Sequence, residues 1–354
     1  MATYTPSQIA SYLTHISFPP PFSPTSLPEP TLANLNRLVD HHLAAVPFES
    51  ISLHYSPTRK LSVDPDDLFR KIVRPGSGDD AADDGDHRGG YCMEVNTFLG
   101  GVLRGLGYDV LSVGGRVSFA TTGKSGEGFS GWSHMANIVT LNSTHYHIDV
   151  GFGLNTPPFP VPFPPVPLSS PTPLTPHPTS TVLNRKLTQQ PLLSTSHPLS
   201  PPVWIYHHRA RESDPWIPGY TFSAIEFHEE DYRVMNLMTM TSPASFFVQS
   251  VICVRTFLSN EALPKTIGGE EAKSSAEGEE EPRRAGQIVL FNDEVKLRRL
   301  KPGFEDEYGE YVVIEKFESE EARVEALRKW FGIRLSEEER RAIVGTSTEI
   351  KAPA

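Results

Sequence analysis

"DHRGGYCMEVN", residues 86–96, sets one of the chain's two cysteines directly after a glycine pair and at the start of a helical pattern. Beyond Cys92, apolar Val95, Phe98, Leu99, Val102, Leu103 and Leu106 fall on one helical face, and Gly105 and Gly107 mark its end. A thiol is a weak nucleophile until it ionises, ordinarily near pKa ~8.5. Unpaired N–H groups at a helix N-terminus favour the ionised form. Gly89-Gly90 reads as a sharp backbone turn that delivers Cys92 to that position. A free cysteine is more often a small core residue, so the junction, not the residue type, carries the catalytic reading.

Such a nucleophile needs a base, and the base needs an orienting group. With 13 histidines in the chain, one histidine alone proves little. His134 and Asp149 form a more specific pair. "HMANIVTL" (134–141) and "HYHIDVGF" (145–152) flank the turn residues Asn142-Ser143-Thr144, a hairpin signal. An odd pairing register places the two side chains on one face as diagonal neighbours, and an even register separates them. Asp149 also lies among Ile148, Val150 and Phe152, where a lone carboxylate would be costly. His145 and His147 share its strand face and are rivals to His134. The adjacent pairs His41-His42 and His207-His208 should diverge in regular structure.

Outward from this site the chain changes period. Residues 6–18, 31–45 and 64–73 read as helices, so 1–108 is expected to be a helical domain carrying the nucleophile. From 109 to 226 short strands separated by turns predict a β-barrel, including a hairpin about Gly114-Gly115 and a strand through "ASFFVQSVICVRTF" (244–257) further on. Residues 227–240 and about 318–331 read as helices within a third, α/β segment, 227–354. The fold class is therefore α+β. The chain's prolines, 33 in all, concentrate between 157 and 202, expected to be a surface excursion between strands, and 268–285 is an acidic low-complexity loop, like 75–87.

A formal charge of −11 with no dominant basic stripe tells against nucleic acid as a partner. No stretch approaches the roughly 18 apolar residues of a membrane span. Without a visible export signal, a cytoplasmic protein with reduced thiols is expected, and the sequon at Asn142 reads as a turn. No Cys-x-x-Cys occurs and "HEED" lacks a second histidine, so no metal site is expected.

Four blocks, "VPFESISLH" (46–54), "RGGYCMEVN" (88–96), "HMANIV" (134–139) and "IDVGFG" (148–153), together resemble the arylamine N-acetyltransferases in order and spacing. "WIPGYTFSAIEFHEEDY", "TSPASFF" and "FGIRL" extend the likeness over most of the chain. The resemblance implies a helical domain, a β-barrel and an α/β lid around a cysteine-protease-like catalytic core. It implies Cys92 as acyl-accepting nucleophile, His134 as its acid/base partner and Asp149 as the group orienting the imidazole. Arg88 and Glu49 match positions that hold the catalytic loop. Phe48 and Phe152 match apolar residues near the acceptor pocket, and Ser130 and Gly131 match positions that contact coenzyme A. The implied reaction passes an acetyl group from acetyl-CoA, or another acyl group from its CoA thioester, to an arylamine, arylhydroxylamine or hydrazine. The insertions are similar to those of fungal members, some of which use malonyl-CoA. Two other readings compete. One keeps the triad for hydrolysis or transglutaminase-like transamidation, and the other makes the chain an inactive scaffold whose proline-rich segment recruits partners.

Overall fold

The computed structural model describes residues 3–73, 88–122, 127–163, 179–192, 195, 197, 199–261, 263 and 282–351. Helices α1 (Pro6–His15), α2 (Leu32–Ala45), α3 (Ile51–Tyr55), α4 (Pro65–Ile72) and α5 (Cys92–Gly105) occupy the first part of the chain. Their starts follow from capping. The Thr5 and Asp64 side chains accept from the first-turn amides of α1 and α4, each followed by a proline whose missing N–H is no loss there. Helix α1 stops three residues short of its expected end. Ser17 turns left-handed (φ 52°) and the Phe18 amide reaches back to the Leu13 carbonyl at 2.8 Å. Helix α5 is buried on nearly every side, its Val95, Phe98, Leu99 and Val102 packing with Ile9, Tyr12 and Leu13 of α1 and Leu35 and Leu38 of α2.

The strands are β1 (Phe48–Glu49), β2 (Asp109–Val117), β3 (His134–Leu141), β4 (Thr144–Ile148), β5 (Val161–Pro162), β6 (Thr179–Val182), β7 (Arg185–Gln190), β8 (Val203–His208) and β9 (Ile217–Phe222). They continue with β10 (Ile252–Leu258), β11 (Arg284–Phe291), β12 (Glu294–Arg299) and β13 (Val312–Lys316). An antiparallel sheet of order β5-β4-β3-β2-β9-β8-β7-β6 curls until β5 meets β6 and β7, giving a nearly closed barrel filled by Val113, Ile138, Trp204, Tyr206, Tyr220 and Phe222. The second sheet has the order β1-β10-β11-β12-β13. Helices α6 (Phe119–Thr122), α7 (Glu229–Thr241), α8 (Phe246–Gln249), α9 (Glu320–Phe331) and α10 (Glu337–Ala342) complete the chain. Leu327, Trp330 and Phe331 of α9 pack on that second sheet, and α9 ends at Gly332, which takes the left-handed φ of 68° that a side chain resists.

Several expectations need correction. Gly114-Gly115 is no hairpin tip but the middle of the unbroken strand β2. A Cβ on Gly114 would lie 2.3 Å from the Phe227 ring, and one on Gly115 would lie 2.9 Å from the Thr221 carbonyl. Neighbours close in there, and that is why both are glycine. Residues 246–249 form the short helix α8, so only 252 onward is strand. Part of the proline-rich stretch belongs to the barrel, because Thr179–Val182 and Arg185–Gln190 are strands β6 and β7. Arg284 and Ala285 begin β11 and do not belong to a loop. Residues 75–87, 164–178 and 268–281 lie outside the described residues.

Candidate active site

Cys92 is the first residue of α5, so helix geometry supplies no acceptor for its amide or that of Met93. The glycine pair before it works differently from the expectation. Neither Gly89 nor Gly90 has a positive φ, but a Cβ on Gly89 would sit 1.8 Å from the Pro47 carbonyl oxygen and one on Gly90 would strike the Glu94 side chain. The pair allows close approach, and the Gly90 amide then donates to Pro47 O at 3.2 Å while Glu49 N donates to Gly90 O at 3.1 Å.

His134 opens β3 and Asp149 follows β4. The register pairs Asn137 with Ile148 and Leu141 with Thr144, so paired numbers sum to an odd value and the condition for a shared face is met. The tip is a two-residue turn in which Asn142 (φ 48°) and Ser143 (φ 64°) are both left-handed, the form that suits the twist of a hairpin. His134 Nε2 and Asp149 Oδ2 are 2.8 Å apart. The imidazole also hydrogen-bonds the Cys92 sulfur, which lies 3.2 Å from Met93 Sδ and 3.7 Å from the Ser133 carbonyl. All three side chains are buried.

Burial alone would lower the His134 pKa. The Asp149 carboxylate, and after it the Cys92 sulfur, outweigh burial and hold it up at about 10. Burial pushes the Asp149 carboxyl up, but the His134 charge and its hydrogen bonds bring it down to about 2. The carboxylate is fully engaged. Besides His134 it accepts from Tyr220 OH (2.6 Å), Asn96 Nδ2 (2.7 Å) and Gly151 N (2.7 Å).

Three of these groups escape sequence reasoning to different degrees. Asn96 lies one turn after Cys92 on the same helix, a spacing that could have flagged it. It also fixes the hairpin, through Met135 O (2.7 Å) and Val150 N (3.0 Å). Gly151 admits the helix, since a Cβ there would come 2.6 Å from Cys92 Cα. Tyr220 comes from β9 with no local signal. Its hydroxyl also bonds His147 Nε2 at 2.9 Å, and burial lowers the His147 pKa to about 4, so this rival is a neutral support for Tyr220. His145 instead bonds Thr140 Oγ1 at 3.0 Å.

The other candidates fall around this centre. The Phe152 ring stands 5.2 Å from His134 and 4.8 Å from Tyr220, edge to face. Phe48 packs in one cluster with Tyr91 and Cys92 and touches Gly153. Ser130 is pinned to β2, its hydroxyl accepting from Val117 N at 2.9 Å, and a Cβ on the neighbouring Gly131 would meet open space. Arg88 lies 3.7 Å from Glu49 and donates to Ser52 Oγ at 2.6 Å. Lys71, which sequence reading passed over, bridges Glu49 (3.3 Å) and Glu94 (2.8 Å) beneath the start of α5. Burial raises both carboxyls. Lys71 and Arg88 reverse this at Glu49, whereas Glu94, facing Glu49 as well, stays raised. Both cysteines are free thiols. Among the described residues no group of three or more His, Cys, Asp or Glu could hold a metal ion, and no helix is long and apolar enough to cross a membrane.

A buried cysteine at a helix start thus meets an imidazole that in turn bonds a buried carboxylate, on a fold of helices and a nearly closed barrel. The family model described as N-acetyltransferase matches residues 31–265, and the chain belongs to the arylamine N-acetyltransferase family of acyltransferases. It is 30% identical over 365 residues to the N-malonyltransferase FDB2 of Gibberella moniliformis, covering 96% of this chain and 92% of that protein. The fold is similar to that of the Mycobacterium marinum arylamine N-acetyltransferase in complex with CoA (TM-score 0.62, 22% identity, 95% of this chain and 98% of that one). It is likewise similar to a Bacillus cereus arylamine N-acetyltransferase with a Cys-His-Glu catalytic triad (TM-score 0.62, 18% identity, 93% and 99% covered).

Proposed function

We propose that this protein is an acyl-CoA-dependent N-acyltransferase that acylates arylamines, arylhydroxylamines or hydrazines through an acyl-Cys92 intermediate. The observation that carries the reading is the imidazole of His134, held between Asp149 at 2.8 Å and the sulfur of Cys92. In the first half-reaction the Cys92 thiolate attacks the thioester carbonyl, and the C–S bond to CoA breaks. The imidazolium of His134 gives its proton to the departing CoA sulfur. The amides at the start of α5 would stabilise the tetrahedral oxyanion. In the second, the amine nitrogen attacks the acyl-cysteine, His134 takes the amine proton, and the thiolate leaves, restoring the ion pair. Proton transfer of this kind contributes on the order of 10²–10⁴ in rate.

The relative bound to CoA supports a CoA thioester as donor, and the relative named as an N-malonyltransferase supports malonyl beside acetyl as the group carried. Phe48 and Phe152 would flank the acceptor ring, and Ser130 and Gly131 would meet the coenzyme. The division 1–108, 109–226 and 227–354 would then supply nucleophile, acid/base pair and lid. The test is intact-mass measurement after mixing the protein with acetyl-CoA, propionyl-CoA or malonyl-CoA without an acceptor. One acyl mass on the Cys92 peptide with one equivalent of CoA released, then discharged by an arylamine, is the expected result. Protein that stays unmodified with every donor would remove the reading.

A further inference from the structure

The second sheet holds a cation with no anion at contact distance. The Arg298 guanidinium lies over the rings of Tyr308 (4.2 Å) and Tyr311 (4.6 Å). Its Nε donates to Gln287 Oε1 at 2.8 Å and its Nη2 to Leu154 O at 3.1 Å. All four of these partners are neutral. Among the described residues no carboxylate comes within ion-pair distance of it, and the nearby Asp306 lies 2.8 Å from Nη2 of Arg185. Its Nη1 makes no hydrogen bond among the described residues. Burial is the main cause that lowers its pKa below the usual arginine range. A partly buried charge with no carboxylate at contact distance is only weakly compensated by the more distant Asp306, and two aromatic rings lie against it without neutralising it. A pre-oriented guanidinium with a free nitrogen is suited to a carboxylate, which it binds through charge-assisted hydrogen bonds.

Its position ties it to the site described above. Leu154, whose carbonyl it holds, is five residues past Asp149, and the Leu154 side chain packs against the cluster containing Phe48 and Cys92. Gln287 and Tyr308, which both touch Arg298, line a cleft together with Phe48, Gly153, Thr156 and Arg255. A substrate lying across Phe48 would thus reach the residues that contact the guanidinium.

We propose that Arg298 receives a free carboxylate of the substrate, borne either by the acyl group, as in a malonyl thioester, or by the acceptor, as in an aminobenzoate. This rests on the acyl-transfer reading. The test measures kcat/KM in two arms: malonyl-CoA against acetyl-CoA with aniline as acceptor, and 4-aminobenzoate against aniline with acetyl-CoA as donor. Arg298→Gln should lower the carboxylate-to-neutral ratio roughly 10–100-fold in one arm, the loss of a charge-assisted contact, and the arm that moves names the source. Arg298→Lys keeps a point charge without the fork and should retain part of the ratio, which guards against a folding defect in the glutamine variant. A ratio unmoved in both arms overturns the proposal and leaves the acyl-transfer reading standing. So does equal loss for every substrate pair, or inactivity of both variants, since Arg298 would then only brace Leu154. Absence of turnover by the wild-type protein with every pair would sink both.

Discussion

Two thiols in this chain share burial and the free state, and differ in everything that governs reactivity. Cys253 is the second residue of β10, opposite Glu49 of β1, and its pKa is raised well above the usual thiol value, by burial first and then by that carboxylate. Cys92 is equally sealed but stands at a helix start against a charged imidazole. Burial by itself disarms a cysteine. What arms one is a partner carrying the opposite charge, itself fixed by further groups.

The sharpest way to break this contrast is to remove each sulfur in turn. Cys92→Ser should abolish acyl transfer, on the order of 10⁶-fold as for other nucleophile knockouts, while Cys253→Ser retains turnover. Comparable losses in the two variants, by initial rates with acetyl-CoA and an arylamine, would erase the distinction. Asp149→Asn should lower kcat by roughly 10²–10⁴ with a near-native circular dichroism spectrum, because the imidazole loses both its orientation and its counter-charge. Near-wild-type turnover would mean that another acid orients His134.

The charge state of the pair can be read directly. His134 is held up at about 10, so its pairing stabilises the fold fully below the ordinary histidine value and loses that contribution as pH rises through about 10. Asp149 is held down at about 2, so its contribution is present above the ordinary carboxyl range and is lost as pH falls through about 2. Between those limits nothing in the pair titrates. The His134 ring resonances should therefore show no inflection between about pH 5 and 8, where an ordinary histidine does. In Cys92→Ala the titration should move down, since one of the groups raising it is gone. An inflection near the ordinary value in the unaltered protein contradicts the ion pair.

Smaller effects sharpen the picture. Asn96→Ala removes its hydrogen bonds to Met135 O and Val150 N and one of the two donors on Asp149 Oδ1, and should cost about 1–3 kcal/mol in urea unfolding, with a larger drop in turnover than in stability. Cys253→Ala should cost about 1 kcal/mol, with no change in the rate at which iodoacetamide labels Cys92.

The three central residues were legible because each lies in a short segment whose local pattern is informative: a helix start, a strand after a loop, and a carboxylate in an apolar run. The hairpin bearing two of them was legible from its turn residues. Tyr220 was not, since it reaches Asp149 from 71 residues away across the barrel. Lys71 and Arg298 were hidden for the same reason, their meaning lying in what they face. The glycines misled in one consistent way. At 89, 90, 114 and 115 the missing side chain makes room for neighbouring groups, and sequence cannot distinguish that need from a turn.

The dipeptide Phe48-Glu49 is clasped on both edges. Phe48 bridges to Gly90, just before the nucleophile, while the same two residues pair with Val254 and Cys253. A polypeptide ending anywhere before Ile252 would keep all three central residues and lose one jaw of this clamp. Its sulfur would then wander from its imidazole. The C-terminal third is in that sense a splint for a thiol, an imidazole and a carboxylate that all lie within the first 149 residues.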